Sequence, residues 1–123
     1  MSKVLVADDD ADIRMLVSLR LRSAGFDVVQ AENGERALEL VESERPALCV
    51  LDVTMPKLDG FEVTRRLRAN AETERLPVIL LTARAQSRDL SEGIAAGATD
   101  YMPKPFKADD LIARVKAELE GRV

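Results

Sequence analysis

The sequence predicts an α/β domain with a five-stranded parallel sheet flanked by five helices. Three observations predict it. Short apolar runs alternate with segments of helical spacing five times along the 123 residues. The runs, with residues such as Val50, Val53, Val78 and Ile79, are of the length and kind that form buried strands. Glycines and prolines fall between the elements rather than at random. Strands that alternate with helices join through right-handed crossovers, which makes the sheet parallel and covers both of its faces.

Lys3 to Ala7 reads as the first strand and runs into Asp8, Asp9 and Asp10. A helix follows from about Ala11 to Ala24, with Asp10 as N-cap and Gly25 just past its end. Ile13, Leu16, Val17 and Leu21 recur at helical spacing and predict its inward face, with Arg14, Arg20 and Arg22 largely off it. Phe26 to Gln30 is the second strand, and Asn33 caps a second helix from Gly34 to Glu44, which Pro46 stops. Leu48 to Asp52 is the third strand, and Gly60 to Ala69 the third helix. Pro77 to Thr82 is the fourth strand, Arg84 to Arg88 a loop, and Asp89 to Ala96 a short helix weakened by Gly93. Thr99 to Met102 is the fifth strand. Pro103 and Pro105 break the chain before a last helix from Ala108 to Glu120, with Leu111, Ile112, Val115 and Leu119 inward.

The remaining composition excludes more than it suggests. With 3% aromatic residues the core must be built from Leu, Val, Ile and Ala. A net charge of −4 argues against nucleic acid or an anionic membrane as a direct partner of this domain. Cys49 is the single cysteine, so no intrachain disulfide forms. The N-terminus has no signal-peptide pattern and no apolar run is long enough to span a membrane, so the cytoplasm is the expected location. The absence of histidine removes Ser-His and Cys-His nucleophiles and most zinc sites. Neither glycine-rich nucleotide-binding motif occurs.

Parallel topology places all strand C-termini at one edge of the sheet, where ligands of open α/β sheets bind. Asp8, Asp9, Asp52, Thr82 and Lys104 lie at or just past those ends and should converge. Carboxylates so gathered repel by about 4 kcal/mol per pair at ~4 Å and an effective dielectric near 20. Either one stays protonated or a cation binds. Oxygen donors without histidine point to a hard divalent ion such as Mg2+, with Mn2+ as a substitute. A carboxylate can also accept a phosphoryl group, a reaction governed by positioning and charge stabilisation. Asp52 is the candidate nucleophile, Lys104 the counter-charge and Thr82 the hydroxyl donor. Taken singly, each has a plainer reading: Asp8 to Asp10 as helix caps, Lys104 as a surface lysine, Thr82 as a strand-end residue and Tyr101 as a half-buried aromatic.

Five segments in order carry a resemblance: Val6 to Asp10, Leu51 to Gly60, Thr82-Ala83, Gly97 to Tyr101, and Lys104-Pro105-Phe106. The chain resembles a two-component response-regulator receiver domain of the chemotaxis-regulator type over Val4 to Leu119. That resemblance implies the flavodoxin-like, doubly wound strand order 2-1-3-4-5, and one receiver domain over residues 1–123 with a core of about 3–119. It implies that Asp52 takes phosphate from a sensor histidine kinase or phosphotransfer protein, and that the domain catalyses this transfer and a slow dephosphorylation itself. Asp9 would hold Mg2+ directly, Asp8 through water, and the Thr54 carbonyl would be a further ligand beside Asp52. Thr82 and Lys104 would bind phosphoryl oxygens, and Thr82 and Tyr101 would form the switch. The fourth helix, fifth strand and fifth helix would then control an output domain, a downstream protein or a homodimer. Asp100 and Arg114 resemble the dimerising face of winged-helix regulators, whereas Leu90, Ala95 and Ala96 depart from it. Pro103, Ala7, Thr54 and Arg84 are further positions of departure or variation. Two alternatives are an aspartyl-phosphate phosphatase of the haloacid-dehalogenase type, which would want an acid where Thr54 stands, and a receiver-like module that takes no phosphate, which would lack Asp52, Thr82 or Lys104.

Overall fold

The computed structural model describes residues 2–83 and 87–120, the stretch 87–90 by its backbone. Strands β1 (Lys3–Ala7), β2 (Asp27–Ala31), β3 (Leu48–Asp52), β4 (Val78–Thr82) and β5 (Asp100–Pro103) form one sheet. Its order is β2-β1-β3-β4-β5 and every neighbouring pair is parallel. The helices are α1 (Ala11–Ser23), α2 (Gly34–Glu44), α3 (Gly60–Ala69), α4 (Ser87–Ala96) and α5 (Ala108–Glu120).

Strand alternation divides the core in two. Val4, Val6, Leu48, Val50, Ile79 and Leu81 face Val17 and Leu21 of α1 and Leu111, Ile112 and Val115 of α5. Leu5, Ala7, Cys49, Leu51, Val78 and Leu80 face α2, α3 and α4 through Ala37, Val41, Phe61, Leu67 and Ala96. The three central strands are buried on both sides, which is why they read as continuous apolar runs. Three caps begin the helices as the residue types demand. Asp10 accepts from the Asp12 and Ile13 amides, Asn33 from Arg36 and Asp59 from Glu62. Gly25, at φ 98°, ends the α1 segment in the conformation that glycine adopts without a Cβ penalty.

The structure corrects several expectations. β2 starts and ends one residue later than the pattern suggests, β5 begins at Asp100 and includes Pro103, and β4 begins at Val78. Helix α4 starts at Ser87, so Ser87 and Arg88 belong to the helix rather than to a loop. On α1, Leu16 is 52% exposed while Ser18 is fully buried. Here the apolar residues outnumber the positions that one face of a helix can cover, and the face against the sheet runs through Val17, Ser18 and Leu21. Ile94 of α4 is an exposed large apolar residue. Gly93 weakens α4 as a helix, but it lets α4 approach the sheet. A Cβ there would lie 3.3 Å from Leu80 Cδ1 and 3.6 Å from Phe61 and Tyr101 ring atoms. Pro103 is tolerated because β5 is an edge strand. The Lys104 amide donates to the Thr82 carbonyl, so the neighbouring position 103 faces away from β4, where no N–H is needed.

Candidate functional site

The chain turns to opposite sides of β1 when it passes to β2 and to β3, and the crevice between the β1 and β3 ends is the switch point of the sheet. Asp8 stands on one side of it and Asp52 on the other. The Asp8 amide donates to the Ala31 carbonyl at 3.1 Å, which extends the β1–β2 pairing by one residue. Its Oδ1 accepts from the Asp10 amide at 2.9 Å, and the residue is fully buried. Asp10 is occupied as the α1 cap, which leaves Asp9 exposed at the apex of the turn. Asp52 ends β3 and is 5% exposed. One carboxylate oxygen from each of Asp8, Asp9 and Asp52 lies within 4.8 Å of the others.

The Asp52 backbone is backed closely by α3. A Cβ on Gly60 would lie 2.5 Å from the Asp52 carbonyl oxygen, so only glycine allows α3 to begin there. The Lys104 side chain reaches over from the end of β5, its Nζ lying 3.1 Å from Asp8 Oδ2 and 3.3 Å from Asp52 Oδ1. The Lys104–Pro105 peptide bond is cis, the isomer that Pro105 makes accessible.

Burial pushes the Asp52 carboxyl up to about 6, and repulsion from Asp8 adds to this, while Lys104 opposes it. Burial would lower the Lys104 ammonium. Its hydrogen bond to Asp8 and the charge of Asp52 outweigh that and leave it raised. Lys104 is therefore a firm cation, yet it cannot neutralise three carboxylates. The donors are all oxygen, two buried and one open to solvent, and they carry excess negative charge. This set fits a hard divalent cation.

The other expected residues occupy distinct places. Thr82 is buried at the same edge, at the end of β4. Alternation turns it to the side of Leu80, the face on which Tyr101 also packs. Tyr101 pairs in register with Leu80, two residues below the edge, and is half-buried. Thr54 is exposed in the loop two residues past Asp52. Arg84 and the side chain of Leu90 lie outside the described residues. Arg114 Nη1 bonds Asp100 Oδ1 at 3.0 Å and the Tyr101 carbonyl at 3.1 Å, so the two expected dimer residues pair within one chain. One residue escaped the sequence pattern altogether. Arg14 Nη1 donates to the Asp8 carbonyl at 2.8 Å. A signal existed: a cation in the early turns of a helix opposes the dipole and calls for a local partner.

A doubly wound parallel sheet with buried carboxylates and a lysine at its switch point defines the class of open α/β domains that bind ligands at that edge. The chain belongs to the response regulator receiver domain family, which its residues 4–116 match. It is 44% identical over 119 residues to the DNA-binding dual master transcriptional regulator RpaA of Synechocystis sp., covering 97% of this chain and 49% of that protein. It is 45% identical over 117 residues to the alkaline phosphatase synthesis transcriptional regulatory protein PhoP of Bacillus subtilis, covering 95% of this chain and 48% of that protein. The chain thus spans about half the length of these relatives. Among solved structures, the Francisella response regulator 1452 receiver domain superposes with a TM-score of 0.93 at 35% identity, covering 100% of both chains. Chemotaxis response regulator CheY4 of Vibrio cholerae superposes with a TM-score of 0.89 at 34% identity, covering 94% of this chain and 97% of that one. Membership makes this a phosphorylation-dependent signalling domain of a two-component system rather than a metabolic enzyme.

Proposed function

We propose that residues 1–123 form a single receiver domain, with a core of about 3–119, and that Asp52 is its phosphoacceptor. The observation that carries this reading is the placement of Asp52: a buried strand-end carboxylate with an ammonium at 3.3 Å and two further carboxylates within 4.8 Å. Asp9 and Asp52 would hold Mg2+ directly, Asp8 through water, and the Thr54 backbone carbonyl would complete the protein's share; Mn2+ has the same oxygen preference. When bound, the ion supplies neutralisation of the charge on the transferring phosphoryl oxygens.

The donor is a phosphohistidine on a sensor kinase or phosphotransfer protein. An Asp52 oxygen forms the new P–O bond as the donor P–N bond breaks. Before transfer, Lys104 holds Asp8 and Asp52 together and reduces their repulsion. After transfer, Asp52 no longer carries its own carboxylate charge, and the Lys104 ammonium pairs with a phosphoryl oxygen instead. The Thr82 hydroxyl donates to another. The phosphoryl group carries about −1.5 to −2 charges, a net gain of about −1 over the carboxylate it replaces, together with new acceptors, enough to draw both groups and bias a two-state surface. Thr82 and Tyr101 share the α4 face of the sheet, so an inward turn of Tyr101 follows the movement of Thr82. The face of α4, β5 and α5 is then read by an attached output domain, a downstream protein or a second copy of the chain. Water later hydrolyses the acyl phosphate slowly within the same site.

The names of the relatives support a transcriptional output carried outside the receiver. The −4 charge of this domain argues against its touching nucleic acid itself. No helix among the described residues is long and apolar enough to cross a membrane, and a cytoplasmic site of action is part of the proposal.

Incubation with acetyl phosphate and Mg2+ tests the reading by intact mass. Wild-type protein should gain one phosphoryl group and Asp52→Asn none. Absence of the adduct from wild type, or its persistence in the variant, rejects Asp52 as acceptor.

A further inference from the structure

The turn that carries the acidic residues is tied to its surroundings by the Arg14 side chain. Arg14 is the fourth residue of α1 and is half-buried. Its Nη1 donates to the Asp8 main-chain carbonyl at 2.8 Å, and its Nε donates to Gln30 Oε1 at 3.3 Å. One guanidinium therefore joins the start of α1, the end of β1 and β2. The remaining bonds of the turn are close to it in the chain or the sheet. The Asp8 amide meets the Ala31 carbonyl at 3.1 Å, the Asp10 amide meets Asp8 Oδ1 at 2.9 Å, and the Arg14 amide meets the Asp10 carbonyl at 3.0 Å. Asp9 stands at the apex between these held residues.

On electrostatic grounds alone this is a poor place for an arginine. It lies near the positive end of the α1 dipole. It also puts a cation beside a pocket whose carboxylates suit a divalent ion, and would compete with that ion. The contact is made to a main-chain carbonyl, however, not to a carboxylate, so what it supplies is geometry. We propose that Arg14 is a positioning residue: it fixes the Asp8–Asp9 turn so that both carboxylates meet Asp52, and thereby sets the affinity of the pocket for a divalent cation. This rests on the Mg2+ reading of the site. The planar fork matters, because a lysine offers a single nitrogen and cannot hold the Asp8 carbonyl and Gln30 as the fork does.

Two effects of opposite sign make the test decisive. If Arg14 positions the turn, Arg14→Ala weakens Mg2+ binding by about tenfold, in the range for groups that orient metal ligands. If it acts only as a charge, its removal tightens binding. Calorimetric titration with Mg2+ reads the difference. Arg14→Lys should recover part of the loss. Gln30→Ala, at an exposed position, should weaken binding by about two- to threefold and serves if Arg14→Ala folds poorly. With acetyl phosphate, the Mg2+ concentration for half-maximal phosphorylation should rise in Arg14→Ala while the adduct at saturating Mg2+ matches wild type. Unchanged or tighter Mg2+ binding in both Arg14→Ala and Gln30→Ala overturns the proposal. Wild-type protein that binds no Mg2+ overturns both this inference and the metal reading beneath it.

Discussion

The two edges of the sheet treat charge in opposite ways. At the C-terminal edge, Asp8 and Asp52 are buried together against one lysine, and the Asp52 carboxyl is pushed up to about 6. At the N-terminal edge, Arg68 donates to the Gly97 carbonyl at 2.8 Å, to the Thr73 carbonyl at 3.3 Å and to Thr99 Oγ1 at 3.4 Å. Thr99 in turn accepts from the Val78 amide at 3.0 Å and donates its own amide to the Val78 carbonyl at 2.8 Å. Lys3 pairs with Glu44 at 2.8 Å, and Glu44 is held below the usual carboxylate range by that hydrogen bond. One edge has its polar groups matched to neutral or opposite partners near solvent. The other confines like charges. An edge built only for stability would resemble the first, and the second holds buried like charges at a cost to stability.

Three substitutions sharpen that contrast, from the largest effect to the smallest. Gly60→Ala should destabilise the domain by about 3 kcal/mol, because the new Cβ meets a backbone carbonyl that cannot swing aside. Urea denaturation measures it, and a loss below about 1 kcal/mol would show that the β3–α3 junction is looser than the 2.5 Å approach implies. Arg68→Ala should cost about 2 kcal/mol through three lost hydrogen bonds, with Mg2+ affinity unchanged. A matching loss of Mg2+ affinity would show that the two edges are not independent. Asp52→Asn should do the reverse and stabilise the metal-free domain by about 1–2 kcal/mol at pH 7, after allowance for solvent screening.

The sign of the last effect follows from linkage. The folded-state value of about 6 lies above the ordinary 3.8, so the folded chain binds the Asp52 proton more tightly than the unfolded chain does. Stability contributed by that proton is lost as pH rises from about 4 to about 6, and the penalty is complete above that window. Urea midpoints in chelator across this range should fall for wild type relative to Asp52→Asn. Parallel profiles, or a variant less stable than wild type at pH 7, would refute the strained-edge account.

Much of this was legible in the chain alone, for local reasons. Helix and strand periods are short-range properties, so ten elements and most of their ends could be read, including the caps at Asp10 and Asn33. The family's spaced segments carried Asp8, Asp9, Asp52, Thr82 and Lys104 to one edge, and parallel topology made that convergence necessary. What the pattern could not decide was which of several apolar positions a helix would bury. Leu16, expected on the inward face, is exposed, and Ser18 is buried in the face that α1 presents, because burial depends on the angle at which α1 lies against the sheet and α5. Gly93 read as a weakness of α4, and only the fold shows that a Cβ there would press to 3.3 Å on Leu80 Cδ1. Arg14 read as a solvent-side cation, since its partners lie in β2 and at the end of β1. Sequence alone determined the order of the elements and the chemistry available at their ends, because both follow from neighbouring residues. Tertiary structure alone decided which carboxylate is strained and what holds it in place, because burial and charge act through space.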